Sequence, residues 1–144
     1  MFDTVLIAGL GLMGGSMAKT IKARTLSRVL GWNRTRATAE QALADGSIDA
    51  IATEALYKEA DLVIIGLYPQ ATVDWLLENM PKMKKGCVVV DMVGVKQFMV
   101  DHLEQAALDA GVHYVGGHPM AGREFSGLDF ALPTLFDGAS MIFV

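Results

Sequence analysis

The chain has 144 residues, 52% of them hydrophobic and 19% charged, with a formal net charge of −4. This length predicts one domain with a buried core. The acidic balance gives nucleic-acid binding no electrostatic basis, and the apolar runs fall well short of the ~20 residues that a membrane span needs. The N-terminal apolar run has no basic leader and the single cysteine, Cys87, rules out an internal disulfide, so we expect a cytoplasmic protein without nucleic-acid or membrane partners.

The first predicted strand, Thr4–Ala8, ends in a turn that carries Gly9, Gly11 and Gly14, and a helix is predicted to follow at Leu12–Ala23. This glycine spacing between a strand and a helix is the dinucleotide-binding fingerprint. The first glycine allows the tight turn, the second lets the backbone approach a pyrophosphate, and the third lets the helix pack close to the strand. The helix N-terminus then faces the phosphates, so we predict a dinucleotide site here rather than a purely structural turn.

The remaining apolar runs alternate with helical patterns, which favours parallel βα units. Further strands are predicted at Val29–Trp32, Leu62–Leu67, Cys87–Asp91, Val112–Val115 and Met141–Val144, with a short edge strand at Ile48–Thr53. Further helices are predicted at Ala37–Asp45, Ala71–Met80 and Lys96–Ala110, each followed by glycine or proline. The expected fold is a single α/β domain of the Rossmann type, with a doubly wound, mainly parallel sheet that binds its ligand at the carboxyl ends of the strands.

The residues after the second predicted strand bear on the choice of cofactor. NAD sites usually carry an acidic residue here, which accepts a hydrogen bond from the ribose 2′-hydroxyl. This chain has Asn33, Arg34 and Thr35 instead. The asparagine and threonine can donate hydrogen bonds and the guanidinium suits a phosphate, so we predict NADP, with NAD as second choice. The alternative is that Arg34 and Arg36 are surface charges at the start of a helix.

Two further strand ends are predicted to reach the same crevice. Leu67, Tyr68 and Pro69 follow one strand and would form a wall on the adenosine or nicotinamide side. Asp91 ends the next strand, and Lys96 follows it, which would bring a carboxylate and an ammonium group to the crevice. The alternatives are that Tyr68 packs beside the turn, that Asp91 caps the following helix and that Lys96 is solvated.

A polar, glycine-punctuated turn is predicted after Val112–Val115, and it carries His118 immediately before Pro119. Proline restricts the backbone of the residue before it, so this histidine has few conformations available. Its reference pKa near neutrality suits proton transfer at working pH. We therefore predict His118 as a catalytic base. His102, on the polar face of a predicted helix, and His113, inside a strand, are expected to be structural.

These residues resemble the prephenate/arogenate dehydrogenases of tyrosine biosynthesis, and the resemblance covers essentially the whole chain. It is carried by the fingerprint at residues 9–15, by Asp91 with Val95-Lys96, and most specifically by Gly117-His118-Pro119-Met120-Ala121-Gly122 with Glu124 and Ser126-Gly127. In that family a hydride passes from a cyclohexadienol ring to the nicotinamide, and loss of carbon dioxide then aromatises the ring without a metal.

The resemblance implies that His118 engages the ring hydroxyl and accepts its proton. Cofactor contacts are implied for Gly9, Gly11, Leu12, Met13, Gly14, Asn33, Arg34 and Thr35. The substrate, a small carboxylate, is expected beside Gly94, Lys96, Arg123 and Glu124. The family usually has a serine where this chain has Gly94, which leaves the identity of the substrate open.

Members of that family carry a further helical domain after the final strand, which builds the dimer and supplies an arginine for the substrate carboxylate. We expect residues 1–144 to be the NAD(P)-binding domain of such an enzyme, dimeric only with the second domain. Two alternatives stay open. One is an NADP-dependent dehydrogenase of another small carboxylate, and the other is a non-catalytic, dinucleotide-binding regulatory module.

Overall fold

The computed structural model describes residues 2–92, 96–119, 128, 131, 133 and 141–143, and at 96, 118, 119 and 141–143 it describes the backbone alone. The strands are β1 (Thr4–Ala8), β2 (Arg28–Trp32), β3 (Ala50–Ile51), β4 (Leu62–Ile65), β5 (Val88–Asp91), β6 (His113–Pro119) and β7 (Met141–Phe143). The helices are α1 (Leu12–Arg24), α2 (Arg36–Ala44), α3 (Glu54–Tyr57), α4 (Pro69–Asn79) and α5 (Lys96–Ala110), with a 3-10 turn at Met80–Lys82. None of the helices in these ranges is long and apolar enough to cross a bilayer.

The strands form one seven-stranded sheet in the order β3-β2-β1-β4-β5-β6-β7. Strands β1 to β6 pair in parallel, and β7 pairs antiparallel with β6. The strand order reverses between β1 and β4, since the chain builds outward from β1 in both directions. This is the topological switch point of a doubly wound sheet, where the crevice between the carboxyl ends of the strands receives ligands. The predicted Rossmann-type α/β fold is therefore confirmed.

Helices cover both faces of the sheet, and the alternation of side chains along β1 shows it. Leu6 and Ala8 belong to one apolar cluster, whereas Val5 and Ile7 belong to the other. This is the period of two that a strand imposes, with both faces buried as in parallel sheets. The first cluster is completed by side chains of α4 and α5, such as Leu76 and Leu103, and the second by small residues of α1 and α2 such as Ala18, Ala39 and Ala42.

Beyond shifts of one or two residues at the ends of elements, the structure adds three features to the predicted ones. Strand β6 continues through Pro119 rather than ending at Val115. The first residues of the predicted turn, up to Pro119, therefore belong to the strand. The continuation has a physical cause, because β7 pairs with residues 117–119 and supplies a partner for them. Strand β7 itself runs antiparallel to its neighbour. The short helix α3 was missed, since four residues are too few for a helical pattern to be recognisable.

A carboxylate fixes the amino-terminal edge of the sheet, opposite the predicted crevice. Asp61 Oδ2 accepts hydrogen bonds from the backbone N–H groups of Asp3 and Thr4, each at 3.0 Å. Its other oxygen accepts from Lys84 Nζ. The hydrogen bond from Lys84 and those from the backbone lower the pKa of Asp61 below its usual value. The charged carboxylate thus joins β1 to the segment before β5.

Asp61→Asn is expected to reduce the thermal stability of the protein and to make that stability less dependent on pH. A carboxyl group whose pKa is lower in the folded state stabilises the fold fully above its unfolded pKa and loses that contribution as the pH falls through the folded value. Thermal melts between about pH 7 and about pH 3 should therefore drop less steeply for the variant. Asp101→Asn, which alters a carboxylate that contacts Gln97 on the exposed face of α5, is the matched control. An equally steep acid loss in Asp61→Asn and wild type would contradict this account.

Candidate dinucleotide-binding and catalytic site

The glycine loop, residues 9–14, connects β1 to α1 in a conformation that depends on glycine. Gly9 has a φ of +94°, which is strained for other residues, and a Cβ there would lie 2.6 Å from the carbonyl oxygen of Gly66. Its N–H donates to the Trp32 carbonyl oxygen at 2.8 Å, so the loop begins attached to the end of β2. Helix α1 starts at once, with the Gly15 N–H donating to the Gly11 carbonyl oxygen at 2.9 Å.

The third fingerprint glycine lies against the first one. A Cβ on Gly14 would overlap the carbonyl oxygen of Gly9, so no larger residue fits there without moving α1. Gly66, directly after β4, takes part in the same contact, because a Cβ on it would lie 3.0 Å from the Gly14 nitrogen. Sequence reasoning missed Gly66. The available signal was a glycine at the end of an apolar strand, which becomes meaningful only once β4 is known to adjoin β1.

Gly11, by contrast, borders open space. A Cβ built on it would meet no atom within 4 Å. It is the N-cap residue of α1, whose first turn carries no acidic side chain and receives no side-chain cap. Leu12 and Met13 continue this turn and are half-buried. The N-terminus of α1 therefore meets the chemical requirements of a phosphate site, since the helix dipole and backbone amides favour an anion there.

Asn33 lies beside the glycine loop, where its side chain binds the protein itself. Its Oδ1 accepts a hydrogen bond from the Leu10 N–H at 2.9 Å, and its Nδ2 donates to the Thr35 carbonyl oxygen at 3.1 Å. The sequence predicted that this amide donates to a cofactor phosphate. The structure shows the amide bridging the loop to the segment that follows β2, and a contact of its second N–H with a cofactor stays a prediction.

The two arginines after β2 differ in their surroundings. Arg36 donates to Glu40 one helical turn further along α2, at 3.4 Å, as a surface ion pair. Arg34 is exposed, and within the described part of the chain its guanidinium has no hydrogen-bond or ion-pair partner. Thr35 is the exposed N-cap residue of α2, and its hydroxyl does not cap the helix. The surface-charge alternative thus describes Arg36 well, whereas Arg34 and Thr35 keep polar groups available at the crevice.

The predicted wall after β4 is only partly formed. Leu67 approaches the glycine loop, since its Cδ2 lies 2.8 Å from where a Gly9 Cβ would be. Its carbonyl oxygen accepts from the Thr72 hydroxyl at 3.1 Å, which fixes the start of α4. Pro69 is the first residue of that helix, and Tyr68 is its N-cap residue. The Tyr68 side chain is 85% exposed, so it does not pack beside the turn as the alternative interpretation supposed.

Asp91 is fully buried at the carboxyl end of β5 and accepts a hydrogen bond from the Tyr114 hydroxyl of β6. Burial, together with this nearby carboxylate, raises the pKa of Tyr114, so the phenol stays protonated. The pair therefore joins two neighbouring strands at the edge of the crevice. Lys96 begins α5, where its backbone alone is described. Three predicted substrate positions, Gly94, Arg123 and Glu124, lie outside the described residues.

The backbone of His118 reaches the same edge of the sheet. The parallel ladder between β5 and β6 ends where Asp91 lies opposite Gly116, and His118 lies two residues further along β6, opposite Ile142 of β7. His118 therefore lies about 7 Å beyond the end of the β5 ladder, at 3.3 Å a residue. Three strand spacings, or about 14 Å, separate β6 from β1 and its glycine loop. The topology thus brings the predicted base and the loop to one carboxyl edge.

Comparison with known proteins identifies the family. The model of the family described as "Prephenate dehydrogenase, nucleotide-binding domain" matches residues 17–144. The chain belongs to this family. The prephenate dehydrogenase of Bacillus subtilis is 38% identical over 99% of the chain and 39% of its own length.

Two solved structures show the same domain. A prephenate dehydrogenase from A. aeolicus, in complex with hydroxyphenyl propionate and NAD+, matches with a TM-score of 0.89 and 28% identity, over the whole chain and 51% of its own. A Synechocystis arogenate dehydrogenase matches with a TM-score of 0.87 and 26% identity, over 98% of this chain and 49% of its own. The chain thus spans about two fifths of the curated relative and half of the solved chains. A site for a nicotinamide dinucleotide follows from the family and agrees with the loop geometry.

Two alanine substitutions in the glycine loop should separate nucleotide binding from folding. In Gly11→Ala the new methyl group enters open space, so the thermal stability of the variant should stay close to that of wild type. The same methyl group should obstruct the approach of a pyrophosphate. Dinucleotide affinity is then expected to fall by at least about tenfold. In Gly14→Ala the methyl group overlaps Gly9, and the protein should lose both stability and binding. Thermal melts with calorimetric titration measure both, and a destabilised Gly11→Ala that binds normally would contradict the assignment.

Proposed function

We propose that this domain binds NADP in preference to NAD and serves the oxidative decarboxylation of prephenate or arogenate in an enzyme of tyrosine biosynthesis. The family match carries the reaction class, and the relatives include enzymes named for each of the two substrates. Because the chain spans only part of those relatives, the activity is proposed for the whole protein to which this domain belongs.

The cofactor preference is supported by the segment after β2. Arg34 is exposed and without an ion-pair partner among the described residues, and it follows Asn33, whose side chain binds the glycine loop. A guanidinium binds phosphate through charge-assisted, bidentate hydrogen bonds, and no carboxylate is present at positions 33–35 to repel a 2′-phosphate. The A. aeolicus neighbour is a complex with NAD+, which supports a nicotinamide dinucleotide in general.

The chemistry needs a base on the substrate side of the crevice. Oxidation of the ring hydroxyl to a ketone releases a hydride and a proton, and carbon dioxide then leaves as the ring becomes aromatic. The nicotinamide, when bound, supplies the hydride acceptor. His118 is proposed to take the hydroxyl proton, since its backbone lies on the carboxyl edge and the histidine has a reference pKa suited to proton transfer at neutral pH.

A second candidate is the NADP-dependent oxidation of another small carboxylate. The observation that favours it is Gly94, because the family usually has a serine at this position and a glycine offers the substrate no hydroxyl. Turnover assays of the full-length protein with prephenate and with arogenate decide between the two candidates. If neither prephenate nor arogenate supports the reduction of NADP, the proposed reaction is refuted.

The preference for NADP is tested at Arg34. In Arg34→Ala we expect the affinity for NADP to fall by about tenfold or more, because a charge-assisted contact to the 2′-phosphate is lost. NAD has no such phosphate, so its affinity should change by less than about threefold. Arg36→Ala removes a neighbouring charge that is paired with Glu40 and serves as the matched control. Wild-type protein that binds NAD at least as tightly as NADP would refute the preference itself.

The role of His118 is tested by turnover. His118→Asn in the full-length protein should lower kcat by at least about 10²-fold with the preferred substrate, as expected for the loss of a general base. Its affinity for the dinucleotide should be retained. The control is His102→Asn, on the exposed side of α5, whose ring contacts only the Phe98 carbonyl oxygen and the Phe98 ring among the described residues. Near-normal kcat in His118→Asn would assign the base elsewhere.

A further inference from the structure

We infer that Asn33 is a positioning residue, which holds the glycine loop in its phosphate-binding conformation and acts equally on NADP and NAD. The inference rests on the proposed dinucleotide site and revises one part of it. Selectivity between NADP and NAD then depends on Arg34 and Thr35, while Asn33 stabilises the glycine loop.

The orientation of the Asn33 amide follows from its two partners. The Leu10 N–H can only donate, so it requires the amide oxygen, and the Thr35 carbonyl can only accept, so it requires the amide nitrogen. The reversed amide would place donor against donor and acceptor against acceptor. Both distances, 2.9 Å and 3.1 Å, lie within the normal range for such hydrogen bonds. Asn33 therefore has one orientation that satisfies both ends.

The contact with Leu10 fixes the loop between its first two glycines. The preceding N–H, that of Gly9, is held by the Trp32 carbonyl oxygen at 2.8 Å. Two successive loop amides therefore donate to consecutive residues at the end of β2. The Gly9 N–H donates to the Trp32 backbone, and the Leu10 N–H donates to the Asn33 side chain. Glycine-rich loops lose much conformational entropy when they become ordered. A loop already ordered in the free protein binds its ligand more tightly, because less entropy is lost on binding.

The contact with Thr35 ties the Asn33 side chain to the start of α2. Thr35 is the N-cap residue of α2, and the Asn33 side chain spans the residue between them, Arg34. The Thr35 carbonyl oxygen also accepts from the Thr38 N–H at 3.2 Å, so the start of α2 keeps a second hydrogen bond when the Asn33 amide is removed. The Asn33 amide thus contacts both the phosphate-binding loop and the start of α2. Loss of the Leu10 contact affects a part of the site that contacts the pyrophosphate, which NAD and NADP share.

The test compares dinucleotide affinities of Asn33→Ala and Arg34→Ala with those of wild type. Trp32 precedes Asn33 and its ring lies 5.6 Å from that of Trp75, so the two tryptophans of the chain form a fluorescence reporter at this site. In Asn33→Ala, the affinities for NAD and NADP should fall by the same factor, about tenfold. In Arg34→Ala, the affinity for NADP alone should fall. A selective loss of NADP in Asn33→Ala would make Asn33 a selectivity residue and overturn the inference, as would unchanged affinities.

A second variant keeps the test decisive if Asn33→Ala folds poorly. Asn33→Asp retains an oxygen for the Leu10 N–H but loses the donor to the Thr35 carbonyl oxygen, so it separates the two contacts. If the Leu10 contact is the one that holds the loop, the variant should fold and bind NAD within about threefold of wild type, while its negative charge repels the 2′-phosphate of NADP. Weak NAD binding by Asn33→Asp would overturn the inference. The wild-type ratio of the two affinities tests the proposed NADP preference separately, so the two proposals can fail independently.

Discussion

The site depends on one contact between three glycine backbones. Gly9 at the end of β1, Gly14 in the first turn of α1 and Gly66 at the end of β4 approach so closely that a methyl group on any of them would meet backbone at 3.0 Å or less. Real Cβ atoms essentially never come nearer than this, so the contact sets the distance between the helix and the two strands. The N-terminus of α1 is thereby placed over the switch point of the sheet, where its amides and dipole can act on an anion.

The same preference for small residues continues along α1. A Cβ on Gly15 would lie 2.8 Å from the Leu128 side chain and 3.1 Å from that of Ala131. The Thr20 hydroxyl donates to the Pro133 carbonyl oxygen at 3.0 Å. Helix α1 therefore lies against Leu128, Ala131 and Pro133 as well as against the sheet. A phosphate site on so confined a helix needs little reorganisation on binding, which favours affinity.

The features that the sequence predicts well are local ones. The extent of α5, Lys96–Ala110, was predicted to the residue, because an apolar face at helical spacing ends in a glycine. The fingerprint was located by its glycine spacing together with its position between a predicted strand and a predicted helix. Gly66 and the hydrogen bonds of Asn33 were missed because their roles depend on which strands are neighbours, which the chain order does not state. The direction of β7 and the extension of β6 were missed for the same reason, since a strand partner far along the chain determines both.

The two ends of the site are held in place by different interactions. At the cofactor end, glycine contacts and the amide of Asn33 fix the loop, and these residues lie directly after β1, β2 and β4 and in the first turn of α1. At the substrate end, the backbone of His118 extends beyond the β5 ladder and is held by pairing with β7. About three strand spacings separate the two ends, and substitutions that far apart usually act independently. The dinucleotide preference proposed for residues 34 and 35 is therefore expected to vary independently of the base proposed at His118, provided that Asn33 or another acceptor still holds the Leu10 amide.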